Sequence, residues 1–274
     1  MQLLNGKILA ETIRHEIKEQ ISKLENKPGL AVILVGEDPA SHLYVSLKEK
    51  VCLEVGINFQ KFIFPASATE EELLNKINEL NKKNEVNGIL VQLPLPNQDT
   101  DKIIAAIDPT KDVDGFHPEN LRRLEAGEPC LVSPVVLGVM RLIEETGEAL
   151  SEKKVVLIMS EIFARPFRAI LRQADVVSPS DASLKEKTKN SDLIITAVGQ
   201  PDLLTGEMIK SGAIVIDVGT TRVDKKIVGD VNFSSTEQLN GWLTPVPGGV
   251  GPMTVAMLAR NVVKTFLSQD KLQP

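Results

Sequence analysis

The stretch Ala31-Val32-Ile33-Leu34-Val35-Gly36-Glu37-Asp38-Pro39-Ala40-Ser41-His42-Leu43-Tyr44-Val45-Ser46-Leu47-Lys48 decides the fold class. Its first five residues form an apolar run that reads as a strand, and Asp38-Pro39 marks the start of a helix. Asp38 supplies a capping oxygen, and Pro39 falls in the first turn, where its missing N–H costs nothing. A strand that feeds a helix in this way places the helix start at the carboxyl edge of an α/β sheet, where such folds hold ligands. Tyr44 and Lys48 are four residues apart, so one helix face carries both and they can share one bound molecule. Taken alone, such a pair is more often just a packed tyrosine and a solvated lysine.

Reading outward from this stretch extends the same pattern. Upstream, Ile8, Ile13, Ile17, Ile21 and Leu24 recur at helical spacing up to the turn Lys27-Pro28-Gly29. Downstream, Gly56 fits a left-handed helix cap, Asn58 to Phe64 a second strand, and Thr69-Glu70-Glu71-Glu72 a capping box for a helix running to about Lys83. Gly88-Ile89-Leu90-Val91 is a third, fully buried strand. This alternation predicts a parallel sheet with crossover helices. The third strand runs into Gln92-Leu93-Pro94-Leu95-Pro96, whose prolines forbid further pairing, so the chain turns out at the carboxyl edge and brings Gln92 close to Lys48. After a short helix near 99–107, Asp112-Val113-Asp114-Gly115-Phe116 forms a carboxylate-rich turn. Such a turn is commonly only a turn. Here a lysine, a tyrosine, a glutamine and one or two carboxylates converge on one edge, and convergence argues for a site.

Composition narrows the function classes. With 274 residues, 42% hydrophobic, the chain has room for one large or two ordinary α/β domains. A net charge of -6 argues against a nucleic-acid surface. Cys52 and Cys130 are too few for a disulfide scaffold, and Cys52 reads as a small core residue. His15, His42 and His117 lack ligand spacing, so no metal is expected. No apolar run reaches the length of about 18 residues that a membrane span needs, and a cytoplasmic protein is the expectation.

The motifs together resemble those of methylenetetrahydrofolate dehydrogenase/methenyltetrahydrofolate cyclohydrolase. They are Asp38-Pro39-Ala40-Ser41 with Tyr44 and Lys48, Val91 to Pro96, Asp112 to Phe116, Asp217-Val218-Gly219, Gly229-Asp230-Val231, and Thr244-Pro245-Val246-Pro247-Gly248-Gly249-Val250-Gly251-Pro252-Met253-Thr254. The resemblance implies two α/β domains with a cleft between them. One is a folate-binding domain over 1–135, completed by a C-terminal helix within 252–274, and the other a Rossmann-like parallel sheet over 136–251. It further implies that Lys48 transfers the proton for hydrolysis of 5,10-methenyltetrahydrofolate to 10-formyltetrahydrofolate. Tyr44 would lie against the substrate, Gln92 would support the lysine and Asp114 would hold the pterin, with Leu93, Pro247, Gly248 and Gly249 as further substrate contacts. The second implied activity is oxidation of 5,10-methylenetetrahydrofolate with NADP or NAD, in a homodimer paired through the second domain. A lysine whose pKa is lowered by burial beside a cationic carbon suits the hydrolytic step.

The second domain departs from the pattern. Lys153 to Met159 reads as the first strand of a dinucleotide fold, with a helix from about Pro166. The resemblance puts cofactor contacts at Ile158, Met159, Ser160, Asp181 and Thr220. Where the family carries a Gly-Arg-Ser segment and a further glycine, this chain has Ile158-Met159-Ser160-Glu161-Ile162-Phe163-Ala164-Arg165-Pro166, and no glycine occurs between Gly147 and Gly199. A pyrophosphate at a strand-to-helix turn relies on glycine for close backbone approach. Phe163 and Arg165 are expected to fill that space, and Glu161 to repel phosphate. Asp181, where the family usually has a serine near the NADP 2′-phosphate, favours NAD over NADP. Ser133-Pro134-Val135-Val136-Leu137-Gly138 also differs from the family's usual run, and Arg122 is either local positive charge or an exposed arginine. Three readings follow: the bifunctional enzyme, a cyclohydrolase without its dehydrogenase half, or a non-catalytic folate-binding or scaffold homologue.

Overall fold

In the computed structural model, which describes residues 1–224 and 226–270, the chain opens with β1 (Gln2–Leu3) and α1 (Gly6–Ser22). There follow β2 (Gly29–Val35), α2 (Pro39–Val55), β3 (Asn58–Phe64), α3 (Glu70–Asn81), β4 (Gly88–Val91), α4 (Thr100–Ala105), α5 (Pro118–Ala126) and α6 (Pro134–Glu144). The second half holds β5 (Val155–Ile158), α7 (Glu161–Ile170), β6 (Asp175–Val177), α8 (Leu184–Lys189), β7 (Leu193–Thr196), β8 (Ile214–Asp217), β9 (Thr221–Val223), β10 (Lys226–Val228), β11 (Trp242–Leu243) and α9 (Val250–Asp270).

Two units result. One contains Glu11–Pro134 and Val255–Pro274, built on a parallel sheet of order β3-β2-β4. Every residue of β2 is buried, which is why its sequence is apolar without alternation. Ala31, Ile33 and Val35 share one core with Leu73, Ile77 and Leu80 of α3 and with Ile103 of α4. Each such wholly buried aliphatic side chain contributes about 1.5–3 kcal/mol. Helix ends form where the local chemistry places them: Asp38 caps α2, Gly56 closes it at φ 96°, and Thr69 with Glu72 forms a capping box on α3.

The other unit contains Met1–Ala10 and Val135–Thr254. Its six-stranded sheet, of order β1-β11-β8-β7-β5-β6, is parallel throughout, a Rossmann-like arrangement. The boundary expected from the resemblance, which kept residues 1–10 with the first domain, is corrected here. β1 adds to β11, with Gln2 N–H on the Gly241 carbonyl at 2.8 Å and Leu4 N–H on the Leu243 carbonyl at 2.9 Å. Two buried aspartates tie the carboxyl ends of this sheet together. Asp230 accepts from the Thr196 hydroxyl and from the Val198 and Gln200 N–H groups, each at 2.8 Å, and Asp217 accepts from the N–H groups of Gly219, Asp230 and Val231. Burial raises the Asp217 carboxyl to about 6.

The expected helix start near Pro166 is also corrected. α7 begins at Glu161, capped by Ser160, whose hydroxyl accepts the Phe163 N–H at 3.3 Å, and Pro166 lies inside it. The bond that Pro166 cannot make would go to the carbonyl of Ile162, a residue 84% exposed, so water can serve that carbonyl instead.

Candidate active site

α2 stands where it does because the Asp38 carboxylate accepts the Ser41 N–H at 2.8 Å while Val45, Cys52 and Val55 bury its inner side. Tyr44, 37% exposed, and the half-buried Lys48 lie on its outer flank. Cys52, one turn beyond, is a core residue whose thiol burial pushes up to about 12, so it is no nucleophile. Gln92 leaves β4 with its N–H on the Ile33 carbonyl at 2.8 Å. Its side-chain Nε2 donates to the Leu93 carbonyl at 2.7 Å, and its Oε1 accepts from Lys48 Nζ at 2.8 Å. The bond to Leu93 fixes the amide orientation, so that oxygen rather than nitrogen faces the lysine.

The turn carrying Asp114 is held from several sides. Asp112, buried, accepts the Gly115 N–H at 3.1 Å and, through its other oxygen, the His117 N–H at 2.8 Å and Asn120 Nδ2 at 3.1 Å. Asn261 of α9 donates to the carbonyls of Val113 and Val132, both at 2.9 Å. Gly115 has φ 73°, and a Cβ there would collide with the backbone of Ser133. Asp112 is thus committed to holding the turn, which leaves Asp114 as the candidate carboxylate of the site. Burial raises the Asp114 carboxyl to about 6, against the opposing pull of the Lys48 charge. Burial lowers the Lys48 ammonium, opposed in turn by Asp114. Desolvation thus favours the neutral amine, and the Asp114 carboxylate opposes that fall.

The sequence pattern of the tetrahydrofolate dehydrogenase/cyclohydrolase catalytic domain matches residues 4–114, and that of the family's NAD(P)-binding domain matches residues 133–270. The chain belongs to the tetrahydrofolate dehydrogenase/cyclohydrolase family. It is 47% identical over 274 residues to the bifunctional protein FolD of Geotalea daltonii, covering 96% of this chain and 98% of that one. With the FolD of Moorella thermoacetica it shares 48% over 273 residues, again 96% of this chain and 98% of the other. Among solved structures, the bifunctional FolD of Campylobacter jejuni superposes with a TM-score of 0.95 at 42% identity over 98% of this chain and 99% of that one. A methylenetetrahydrofolate dehydrogenase-cyclohydrolase of Trypanosoma brucei, complexed with NADP and an inhibitor, gives 0.94 at 33% identity over 98% of each.

The remaining residues expected of a tetrahydrofolate dehydrogenase/cyclohydrolase are distributed as follows. Leu93, half-buried, offers its carbonyl to Gln92. Pro247, Gly248 and Gly249 belong to the Rossmann-like unit, where the Gly248 carbonyl accepts the Lys7 N–H at 2.9 Å, a Cβ on Gly6 would collide with the Gly249 carbonyl, and one on Gly249 with Pro245 and Thr244. At the carboxyl ends of β5, β6 and β7 lies a cavity of about 550 Å³ lined by Met159, Ser160, Glu161, Val176, Ser178, Pro179, Ala197 and Val198. Met159 and Ser160 are thus at the cavity expected to hold the dinucleotide, whereas the Ile158 side chain is wholly buried in the core of its own unit. The Asp181 carboxylate is engaged within its own turn, accepting the Ser183 N–H at 2.8 Å and the Ser183 hydroxyl at 2.7 Å. Thr220 is exposed just after β8. Phe163 and Arg165 do not line the cavity as expected: Phe163 stacks on Phe167 at 5.9 Å, one turn along α7. Arg122 is an exposed arginine, paired with Glu119 and Glu128.

The sequence reading missed the roles of Asn120 and Asn261. Asn261 acts on a carbonyl 148 residues away, and no local pattern signals that.

Proposed function

We propose that this chain hydrolyses 5,10-methenyltetrahydrofolate to 10-formyltetrahydrofolate with Lys48 as the proton-transfer group. The observation that carries this reading is the Lys48–Gln92 hydrogen bond of 2.8 Å beside Asp114, on a helix face that also presents Tyr44. Neutral Lys48 takes a proton as water adds to the cationic methenyl carbon. The resulting ammonium returns it to the departing ring nitrogen as that C–N bond breaks, and the carbinol oxygen releases its own proton to solvent to become the formyl carbonyl. Gln92 Oε1 holds Nζ in place through both transfers, while Asp114 offers a carboxylate to the pterin and Tyr44 a ring against it. This reading is favoured over a non-catalytic folate binder because a mere binder needs no desolvated lysine held by an oriented amide.

The oxidative activity of the family draws on a dinucleotide that, when bound, supplies the hydride acceptor. The residues here fit its phosphates poorly: Ser160 spends its hydroxyl on the Phe163 N–H, Glu161 lines the cavity, and among the described lining residues there is no lysine or arginine. Part of the proposal is therefore that dinucleotide binding is weakened, and NADP more than NAD.

A paired absorbance assay tests both halves. Methenyl-folate should decay rapidly without nucleotide, and nicotinamide reduction with methylene-folate should require millimolar nucleotide. Methenyl decay no faster than in buffer would sink the hydrolase reading.

A further inference from the structure

The cavity at the ends of β5, β6 and β7 has an unusual electrostatic lining for a nucleotide site. Val176, Ala197, Val198, Met159 and Pro179 give it apolar walls, and Ser160 and Ser178 are its hydroxyls. Its charged lining residue is Glu161, in the first turn of α7. Arg168 and Lys187 do not reverse that sign. Arg168 lies 3.4 Å from Glu161, but both side chains are more than half exposed, and such a pair is weak and screened. Lys187 is engaged by Asp175 at 2.9 Å and faces Asp181 at 3.8 Å. Within the turn, Ser160 already occupies the Phe163 N–H, one of the donors an anion would need. At about 550 Å³ the space would accommodate a whole drug-sized ligand, so selection here falls on charge rather than size.

We infer that this cavity discriminates against phosphate, with Glu161 as the specificity-determining residue, so that an uncharged purine nucleoside binds more readily than its phosphorylated derivatives. The inference rests on the reading of weakened dinucleotide binding and goes further, because it names the residue and the order of ligands. Affinity falls from adenosine through NAD and AMP to NADP, in order of net negative charge. Each added negative charge costs about two- to threefold at low ionic strength, as expected of a carboxylate that is mostly exposed. Because the interaction is repulsive, raising salt to about 0.3 M tightens NADP binding, opposite to the behaviour of a basic phosphate site.

The experiment is titration calorimetry of the full-length chain and of Glu161→Gln with adenosine, AMP, NAD and NADP at low and high salt. The expected result is the descending order in the parent, narrowed by salt, and a flattened order in Glu161→Gln with NADP about tenfold tighter. Weak NADP binding in both proteins, with the same order and no response to salt, would overturn the role of Glu161 and leave the weakened-dinucleotide reading standing. No heat with adenosine in either protein would overturn the nucleoside preference. NADP bound more tightly than adenosine by the parent would overturn both. Thermal melts of the two proteins without ligand check that the exposed substitution leaves the fold intact.

Discussion

The Lys48 site and the β5–α7 turn are built on the same plan, a buried parallel strand delivering a helix start at the carboxyl edge of its sheet, yet they hold function differently. Around Lys48 the candidate groups are side chains, and other polar groups fix them: Gln92 by the Leu93 carbonyl, the Asp114 turn by Asp112, Asn120 and Asn261. At the β5–α7 turn the working groups of such a fold are backbone N–H donors, which depend on what the local residues leave uncovered. A sheet can therefore keep its strand order while its turn changes chemistry. A side-chain site loses its chemistry only when one of its named residues is replaced.

The sharpest way to break this comparison is Lys48→Ala. Removing the proposed proton-transfer group should lower the hydrolysis rate by about 10²- to 10⁴-fold, measured by methenyl absorbance, with the melting temperature little changed. Equal loss of folding cooperativity would mean that the lysine is structural. In the other unit, Asp230→Ala should act on stability rather than chemistry. It removes the acceptor for the Thr196 hydroxyl and for the Val198 and Gln200 N–H groups, and should cost about 2–4 kcal/mol in denaturant unfolding.

Asp114→Asn sits between these two. The folded state binds the Asp114 proton more tightly than the unfolded chain does, since the carboxyl rises from 3.8 to about 6. Its contribution to stability is fully present below the unfolded value and is lost as pH rises through about 6. At neutral pH the ionised carboxylate is a net cost, so the amide should raise stability there by about 1–2 kcal/mol, after allowance for partial solvent screening. It should also flatten the stability profile across that interval and reduce turnover. A variant less stable at neutral pH would show that the carboxylate is held by more than its burial suggests.

Much of this was legible in order along the chain. Asp38-Pro39, Thr69 with Glu72, and Gly56 act through bonds to neighbours a few residues away, and the structure realises each as read. The strands Asn58–Phe64 and Gly88–Val91 also stand at their expected limits. Tyr44, Lys48, Gln92 and Asp114 could be grouped because strand-end geometry brings them to one sheet edge. What was not legible acts at a distance. A strand as short as Gln2–Leu3 has no pattern of its own and exists because β11 pairs with it. Ile8, which fits the apolar spacing of α1, is 62% exposed. Pro166 reads as a helix start, and only the Ser160 cap and an exposed carbonyl upstream explain why the helix begins earlier.

The Asn261 clasp has a consequence for how the molecule is made. The turn that carries Asp114 is fastened by an amide 148 residues further along, so during synthesis the chain must be extended past Asn261 before that fastening can form. A prematurely terminated product would contain Tyr44, Lys48, Gln92 and Asp114 and still lack the clamp on Val113. Synthesis of α9 is thereby coupled to the fastening of the Asp114 turn.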